Sequence, residues 1–496
     1  MKQDTGGPAR RHAAPTFASR VAHPASGTRG RRMPGLLLSA LLVLPAGGLL
    51  AREPAPALPV PAHAVIGVED RHLDPQYWID KLAQPDRVVL EPRAIAAQNE
   101  RLHELDRSVH DIEGLPAHFS AEELREWVGK LSSPPTRTLY DAKGLPVDKA
   151  ALDAIVANAA LDSVPARTDV RYALVVRRAD LRTFPTRLRV FREPGDTDID
   201  RFQESALFPG TPVVVLHESR DRQWSFVISP LYAAWIENAY LAEGAREQVF
   251  GYAHRTPTLI VTGPTVHTVH TPEQPGVSEL QLDMGVRVPQ LSDWPADKPV
   301  NGQHPYTSWV IQLPVRGTDG RLELVPALLP KNADVGTEYL PLTPARLLRQ
   351  GFKFLGERYG WGHSYNTRDC SGFVSEVYRS FGVELPRNTS DQGVSPALNR
   401  IAFTDKDDRE ARMKVIRDLQ VGDLIYIPGH VMMVIGKENG QTYLIHDTTG
   451  ITYKDGRGQL VRASLNAVSV TPLEPLLAGG DKTFIDRIYS IQRIRP

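Results

Sequence analysis

The spacing of apolar residues divides this chain into stretches of different texture. From Leu73 to Pro134 the pattern is mainly helical. Asp74-Pro75 reads as an N-cap followed by proline at the first helical position. Ile95, Gln98, Leu102 and Leu105 share one helical face, and Ser120-Ala121-Glu122-Glu123 forms a capping box ahead of Leu124, Trp127 and Leu131. A further helix is predicted from Asp148 to Ala160. From about Pro165 short β-type runs take over, separated by turn residues: Tyr172 to Val176, Pro212 to Leu216, Trp224 to Ile228 and Ala234 to Glu237. A second β-rich stretch, from about Pro257 to Leu340, holds Leu259 to Val261, Val286 to Leu291 and Ser308 to Leu313. The segment from Phe208 to Leu216 is faintly echoed from Asp283 to Leu291, and each precedes a strand bearing a tryptophan, Trp224 or Trp309. Two related small barrels in tandem are expected. The last part, from about Thr343, reads as α+β. It has helices from Pro344 to Leu355 and from Cys370 to Phe381, with Gly382 closing the second at C′. Strands follow from Asp423 to Ile427, His430 to Ile435 and Gln441 to His446.

The N-terminus has a different character. Arg31-Arg32 precede a broken apolar run from Leu36 to Leu50, and Ala51 and Ala62-His63-Ala64 offer cleavage sites, as in an export signal. The run is too short for a stable membrane span, which needs about 20 apolar residues. A Pro/Ala-rich linker follows from Arg52 to Ala64. Lysine plus arginine and aspartate plus glutamate both total 58, so nothing in the charge balance points to a nucleic-acid partner. The single cysteine among 496 residues excludes internal disulfides and thiolate-rich zinc sites.

On its count alone that cysteine is best read as a small buried hydrophobe. Its position argues otherwise. Asp369 is a natural N-cap, and Phe373, Val377 and Phe381 mark the buried face of the helix that follows, so Cys370 falls on the first helical residue. Free N–H groups and the positive dipole end there favour a thiolate and could hold a developing oxyanion. A base and an orienting group are also needed. His430 begins one strand and His446 ends the next part of the chain predicted to be a strand, with Lys437-Glu438-Asn439-Gly440 between them. If Gly436 faces Gly440, the histidines face each other on one side of the sheet. A two-residue Asn-Gly turn pairing Glu438 with Gln441 would throw them to opposite sides. A catalytic pair therefore requires a three- or five-residue loop, and one is expected.

These residues resemble the NlpC-type, papain-like cell-wall cysteine peptidases. Tyr359, Trp361, Gly362, Asp369, Cys370, Ser371, Gly372 and His430 occupy that family's signature, and His446 stands in the third catalytic place. The segment from Leu385 to Ser390 resembles the stretch after the nucleophile helix. One departure is His363, which replaces the second glycine of a Trp-Gly-Gly turn. Upstream, the residues around Tyr77 to Leu82 and Asn99 resemble a stabilising segment of a multidomain branch of the family. Arg177 to Arg182 and Trp224 to Val227 resemble its paired bacterial SH3-like barrels.

The resemblance implies a multidomain protein: a signal peptide and linker (1–64), a helical stabilising segment (65–164), two SH3-like β-barrels (165–250 and 251–340) and a C-terminal papain-like α+β domain (341–496). It implies hydrolysis of peptidoglycan stem peptides or muropeptides at the γ-D-glutamyl–diamino acid bond, without metal or organic cofactor. Cys370 is the implied nucleophile, His430 the base and His446 the orienting group. Tyr359, Asp369 and Ser371 are implied to hold the peptide's amino end, with Glu204 a further acid for the same ammonium. The implied location is exported, periplasmic or envelope-associated. A wall-binding protein with an inactive domain, or an acyltransferase using the same thiol, are the alternatives. The sequence leaves the oligomeric state open.

Overall fold

The computed structural model describes residues 65–495; the leader, the linker and their cleavage sites lie outside them. Among the described residues no helix is long and apolar enough to cross a membrane. The N-terminal helices form where the caps direct. Asp74 accepts the Gln76 N–H to start Pro75–Ile79, and Ser120 and Glu123 cap each other's backbone at Ala121–Leu131. Asp148 caps Lys149–Asn158 in the same way.

The first β unit is one seven-stranded antiparallel sheet. Its spatial order is Gln203–Leu207, Ala179–Arg182, Ala233–Glu237, Trp224–Ile228, Pro212–Glu218, Arg171–Val175 and Leu241–Gly244. Both faces are buried. Leu174, Val214, Phe226 and Trp235 pack on helices Ala121–Leu131 and Arg246–Ala253, while Val175, Val213, Val227 and Ile236 fill the other side. The second β unit is more divided. A three-stranded sheet, a two-stranded sheet and the hairpin Ser308–Arg316/Leu322–Pro330 share a core of Leu259, Val261, Leu282, Val288, Ile311, Leu313 and Leu329. The echo of the first unit is therefore partial. Where the first unit has the seven-residue strand Pro212–Glu218, the second has the three-residue Arg287–Pro289. Pro289, which has no N–H to donate, ends it.

The C-terminal unit is a six-stranded antiparallel sheet in the order Asn399–Ala402, Ser490–Arg493, Leu424–Ile427, His430–Glu438, Gln441–Lys454 and Leu460–Pro472. Helix Cys370–Arg379 covers one face, where Phe373 and Val377 meet Val431, Met433, Tyr443 and Ile445. Met432, Val434, Leu444 and Tyr453 face the opposite core.

The loop expected between the two histidine strands is not there. Glu438 pairs with Gln441 across a two-residue turn in which Asn439 and Gly440 have φ of 49° and 77°. This is the primed turn that suits the twist of a hairpin. Parity is restored further along. The register shifts between Val434 and Gly436, so that Val434 pairs with Leu444 and Met433 with Ile445. The extra residue, Ile435, is a bulge. It returns His430 and His446 to one face by a route that the turn sequence does not encode.

The N-terminal segment braces this hairpin. Glu438 accepts hydrogen bonds from His72 (2.6 Å), Lys81 (3.0 Å) and the Tyr77 hydroxyl. Burial opposes its charge, but these donors outweigh it and hold the carboxyl down to about 2. Trp78 lies directly on Gly436: a Cβ there would sit 2.5 Å from its ring, and the indole is tied to the His72 carbonyl (2.9 Å). Gly436→Ala should therefore cost about 1–3 kcal/mol of stability through overpacking, measured by urea unfolding.

Candidate active site

Asp369 caps the helix by accepting the Gly372 N–H (2.8 Å), which fixes Cys370 as its first residue. The Phe373 N–H reaches the Asp369 carbonyl. The N–H groups of Cys370 and Ser371 thus have no intrahelical acceptor and point toward the cleft end of the helix. The Cys370 thiol is buried. Its sulfur lies 3.6 Å from the Thr389 hydroxyl and takes a hydrogen bond from the Val431 N–H. That approach brings the peptide joining His430 and Val431 to the sulfur.

The Nε2 of His430 is 2.7 Å from Nδ1 of His446, and Nε2 of His446 is 2.9 Å from the Thr471 hydroxyl. With the Thr471 hydroxyl accepting, each ring donates from Nε2, which leaves Nδ1 of His430 as the atom able to accept a proton. Burial pushes His430 down to about 4 and, with the neighbouring His430, pushes His446 well down, so both rings are neutral at pH 7.

The thiol departs from the sequence-based expectation of a lowered pKa. Burial first, then the Asp369 carboxylate, pushes Cys370 up to about 12, against the smaller pull of Thr389 and Val431. Loss of water around the sulfur outweighs the helix end. These shifts leave the thiol and both imidazoles neutral at pH 7. Alkylation by iodoacetamide should accordingly climb with pH and show its main rise above about pH 9. A plateau extending down to pH 5 would instead mark a resting thiolate–imidazolium pair.

Around Cys370 the predicted residues converge, with unequal freedom. Asp369 is saturated. Its Oδ2 accepts from Gly362 N–H (3.0 Å) and Arg387 (2.8 Å), and its Oδ1 from Gly372, Ser371 Oγ (3.2 Å) and Arg387 (3.2 Å). Burial opposes ionisation, but Arg387 keeps its carboxyl down to about 2. Ser371 in turn accepts from Arg387 (2.9 Å). Tyr359 is buried beside this group; burial, then Cys370 and Asp369, pushes its phenol well up.

Glu204 is different. Its partners are two hydroxyls, Thr183 (2.5 Å) and Tyr232 (2.5 Å), and no ion pair engages it among the described residues. It sits on the edge strand Gln203–Leu207 of the first β unit, which reaches the cleft through Ser205 to Arg387 (2.6 Å) and Gln203 to the Gly362 carbonyl (2.8 Å).

Sequence reasoning assigned no role to Arg387, Tyr232, Thr389 or Asp447. Arg387 and Thr389, inside the Leu385 to Ser390 segment, carried a signal. Asp447 is wholly buried, and neither of its oxygens makes a well-formed hydrogen bond. Burial, then the Asp369 and Glu357 carboxylates, pushes it well up, and it lies within electrostatic reach of Cys370 and Tyr359. His363 takes its glycine-like place at φ 65°, in a turn where Gly362, Tyr365 and Asn366 also have positive φ. Each non-glycine residue there costs roughly 1–2 kcal/mol. Among the described residues no cluster of His, Cys, Asp or Glu is placed to hold a metal ion.

Comparison with known proteins bears on two stretches of the chain. Residues 356–470 match the NlpC/P60 family, and residues 189–237 match the SH3 domain of the SH3b1 type. A gamma-D-glutamyl-L-lysine dipeptidyl-peptidase of Bacillus cereus (strain ATCC 10987 / NRS 248) is 29% identical over 222 residues. That match spans 42% of this chain and 55% of the relative, about half of its length. Among solved structures, an NlpC/P60 endopeptidase from Photobacterium damselae subsp. piscicida superimposes with a TM-score of 0.67. It is 17% identical, over 84% of this chain and 96% of that one, a likeness of fold. The C-terminal unit that holds Cys370, His430 and His446 is thus an NlpC/P60-family domain, preceded in the chain by an SH3 domain of the SH3b1 type.

Proposed function

We propose that the chain is a cysteine peptidase that hydrolyses peptidoglycan stem peptides at the γ-D-glutamyl–diamino acid bond. The observation that carries this reading is a helix-start thiol reached by the backbone of the strand that begins at His430, the 2.7 Å pairing of that histidine with His446, and the cation-free carboxylate of Glu204. Nδ1 of His430 takes the thiol proton as the sulfur attacks the γ-glutamyl carbonyl. The oxyanion forms near the free N–H groups of Cys370 and Ser371. The C–N bond then breaks, and the imidazolium returns its proton to the leaving amine. Water, deprotonated by the same ring, cleaves the thioester and frees the thiol.

Substrate choice follows from charge. Asp369 is already balanced by Arg387, so Glu204, held in place by neutral hydroxyls, is the carboxylate able to pair with a free α-ammonium. The substrate class is then short peptides with an open amino end. The 65–164 segment is read as a brace for the catalytic hairpin, 165–250 and 251–340 as SH3-like units, and 341–496 as the catalytic domain of an exported, envelope-associated enzyme.

The test is incubation of the full chain with L-Ala–γ-D-Glu–diamino acid tripeptide and its N-acetyl derivative, read by mass spectrometry. The free-amine peptide should release its diamino acid at least about tenfold faster. Intact peptide in both arms overturns the reading, and an adduct with an added amine in place of free acid makes the chain a transferase.

A further inference from the structure

The wall of the cleft is built from the left-handed turn Gly362–Asn366, and most of what holds it comes from outside the catalytic unit. Arg178, in the first β unit, donates to the carbonyls of His363 (2.9 Å) and Thr367 (2.6 Å) and to the side chain of Asn366 (3.2 Å). Asp283, in the second β unit, faces Arg178 at 3.5 Å and accepts from Arg368 (2.7 Å). Arg368, fully buried, continues to Glu376 on the nucleophile helix (2.8 Å). Glu376 also accepts from Nε2 of His363 (3.1 Å), whose Nδ1 accepts from Arg387 (2.9 Å). A guanidinium can only donate, so the His363 ring must be neutral, with its proton on Nε2. The ring lies against Gly372, where any Cβ would come within 2.6 Å of it. The bonds thus close a circuit through three units and the turn.

We infer that Arg178 and His363 are positioning residues, and that the cleft wall keeps its substrate-binding shape only while both β units are docked on the catalytic unit. This rests on the peptidase reading for its consequence in catalysis, but not for the geometry it claims. Burying charges in such a circuit gives little net stability but imposes one arrangement on the groups that share it. Here the arrangement is a backbone that side chains other than glycine rarely adopt. His363 adds a tie that a glycine in its place could not make. The β units would then set how well substrate is held, and touch the reactivity of the thiol little.

The experiment compares the full chain with Arg178→Met, which removes every donor at similar length, and with Arg178→Lys. Hydrogen exchange by mass spectrometry follows 361–367 against the central strands 424–446. In Arg178→Met the turn should exchange at least about tenfold faster while the strands are unchanged, and Arg178→Lys should fall between. KM for the tripeptide should rise about tenfold, with kcat and the rate of Cys370 alkylation within about threefold of the parent chain. Unchanged exchange at 361–367, or equal loss of protection in the strands, overturns the inference. So does a fall in alkylation that parallels the loss of cleavage. If Arg178→Met does not fold, His363→Gly reads the same circuit from the catalytic side: the backbone keeps its freedom, and the turn should still loosen. A turn that stays protected in His363→Gly overturns the inference equally. Should the parent chain cleave no peptide, the peptidase reading fails while the exchange measurements still decide the positioning claim.

Discussion

Cys370→Ala is expected to lower turnover of the tripeptide by on the order of 10⁵-fold or more, the scale on which loss of a nucleophile acts. Its thermal midpoint should move by no more than a few degrees, since one buried sulfur is exchanged for a methyl group in a pocket already closed around it. The separation of the two effects is the point of the experiment. The thiol is buried, and it contacts Thr389 and Val431. A role limited to packing would show a modest loss of stability with activity intact. Retained cleavage would remove Cys370 from the mechanism, and with it the reading of His430 as its base.

Asp369→Ala should have the largest effect on stability, about 3–5 kcal/mol, because it leaves the buried Arg387 guanidinium without its counter-charge. Loss of the helix cap adds to this. Asp369→Asn keeps a cap acceptor and should be the milder change. Asp369→Ala/Arg387→Met removes both charges together and should recover a substantial part of the loss, as read by urea unfolding. The pH dependence has a defined sign. The carboxyl is held at about 2, below its ordinary 3.8, so the stability it contributes is present above pH 3.8 and is lost as pH falls toward 2. An Asp369→Ala protein as stable as its parent would show that Arg387 finds another partner.

What the sequence makes legible here is short-ranged. The Asp369 cap and the helix start at Cys370 depend on residues a few positions apart; the helix itself ends at Arg379, short of the expected stop, and Gly382 takes its φ of 81° in the turn beyond. The Asn439-Gly440 turn is equally local, and its chemistry was plain, although a longer loop was expected in its place. The error came from treating register as a property of the turn. The bulge at Ile435 is set by what packs on it, and that includes Trp78, more than 350 residues earlier in the chain. The thiol shows the same division. The helix end that favours its charge is local, while the burial that disfavours it is assembled from distant strands. Tyr232 was missed because nothing near it in sequence marks what it meets, and Arg387, though inside a recognised segment, because its partner Asp369 lies 18 residues earlier. The strands Leu460–Pro472 and Ser490–Arg493 were not expected, although Val461, Ala463 and Leu465 alternate with polar residues in the first of them and pack on one core.

The brace on Glu438 also bears on the order in which the molecule can assemble. His72 and Glu438 are 366 residues apart, and the Tyr443 hydroxyl binds the Gly67 carbonyl across 376. During synthesis at about 5–20 residues per second, Trp78 and Ile79 therefore wait on the order of 20–70 s before their partners exist. Their apolar surface stays uncovered for that interval, and the hairpin bearing His446 cannot be pinned before the chain is nearly complete. Contacts of such long range slow folding. A chain held back from early closure is also one that remains unfolded long enough to be threaded through a narrow channel.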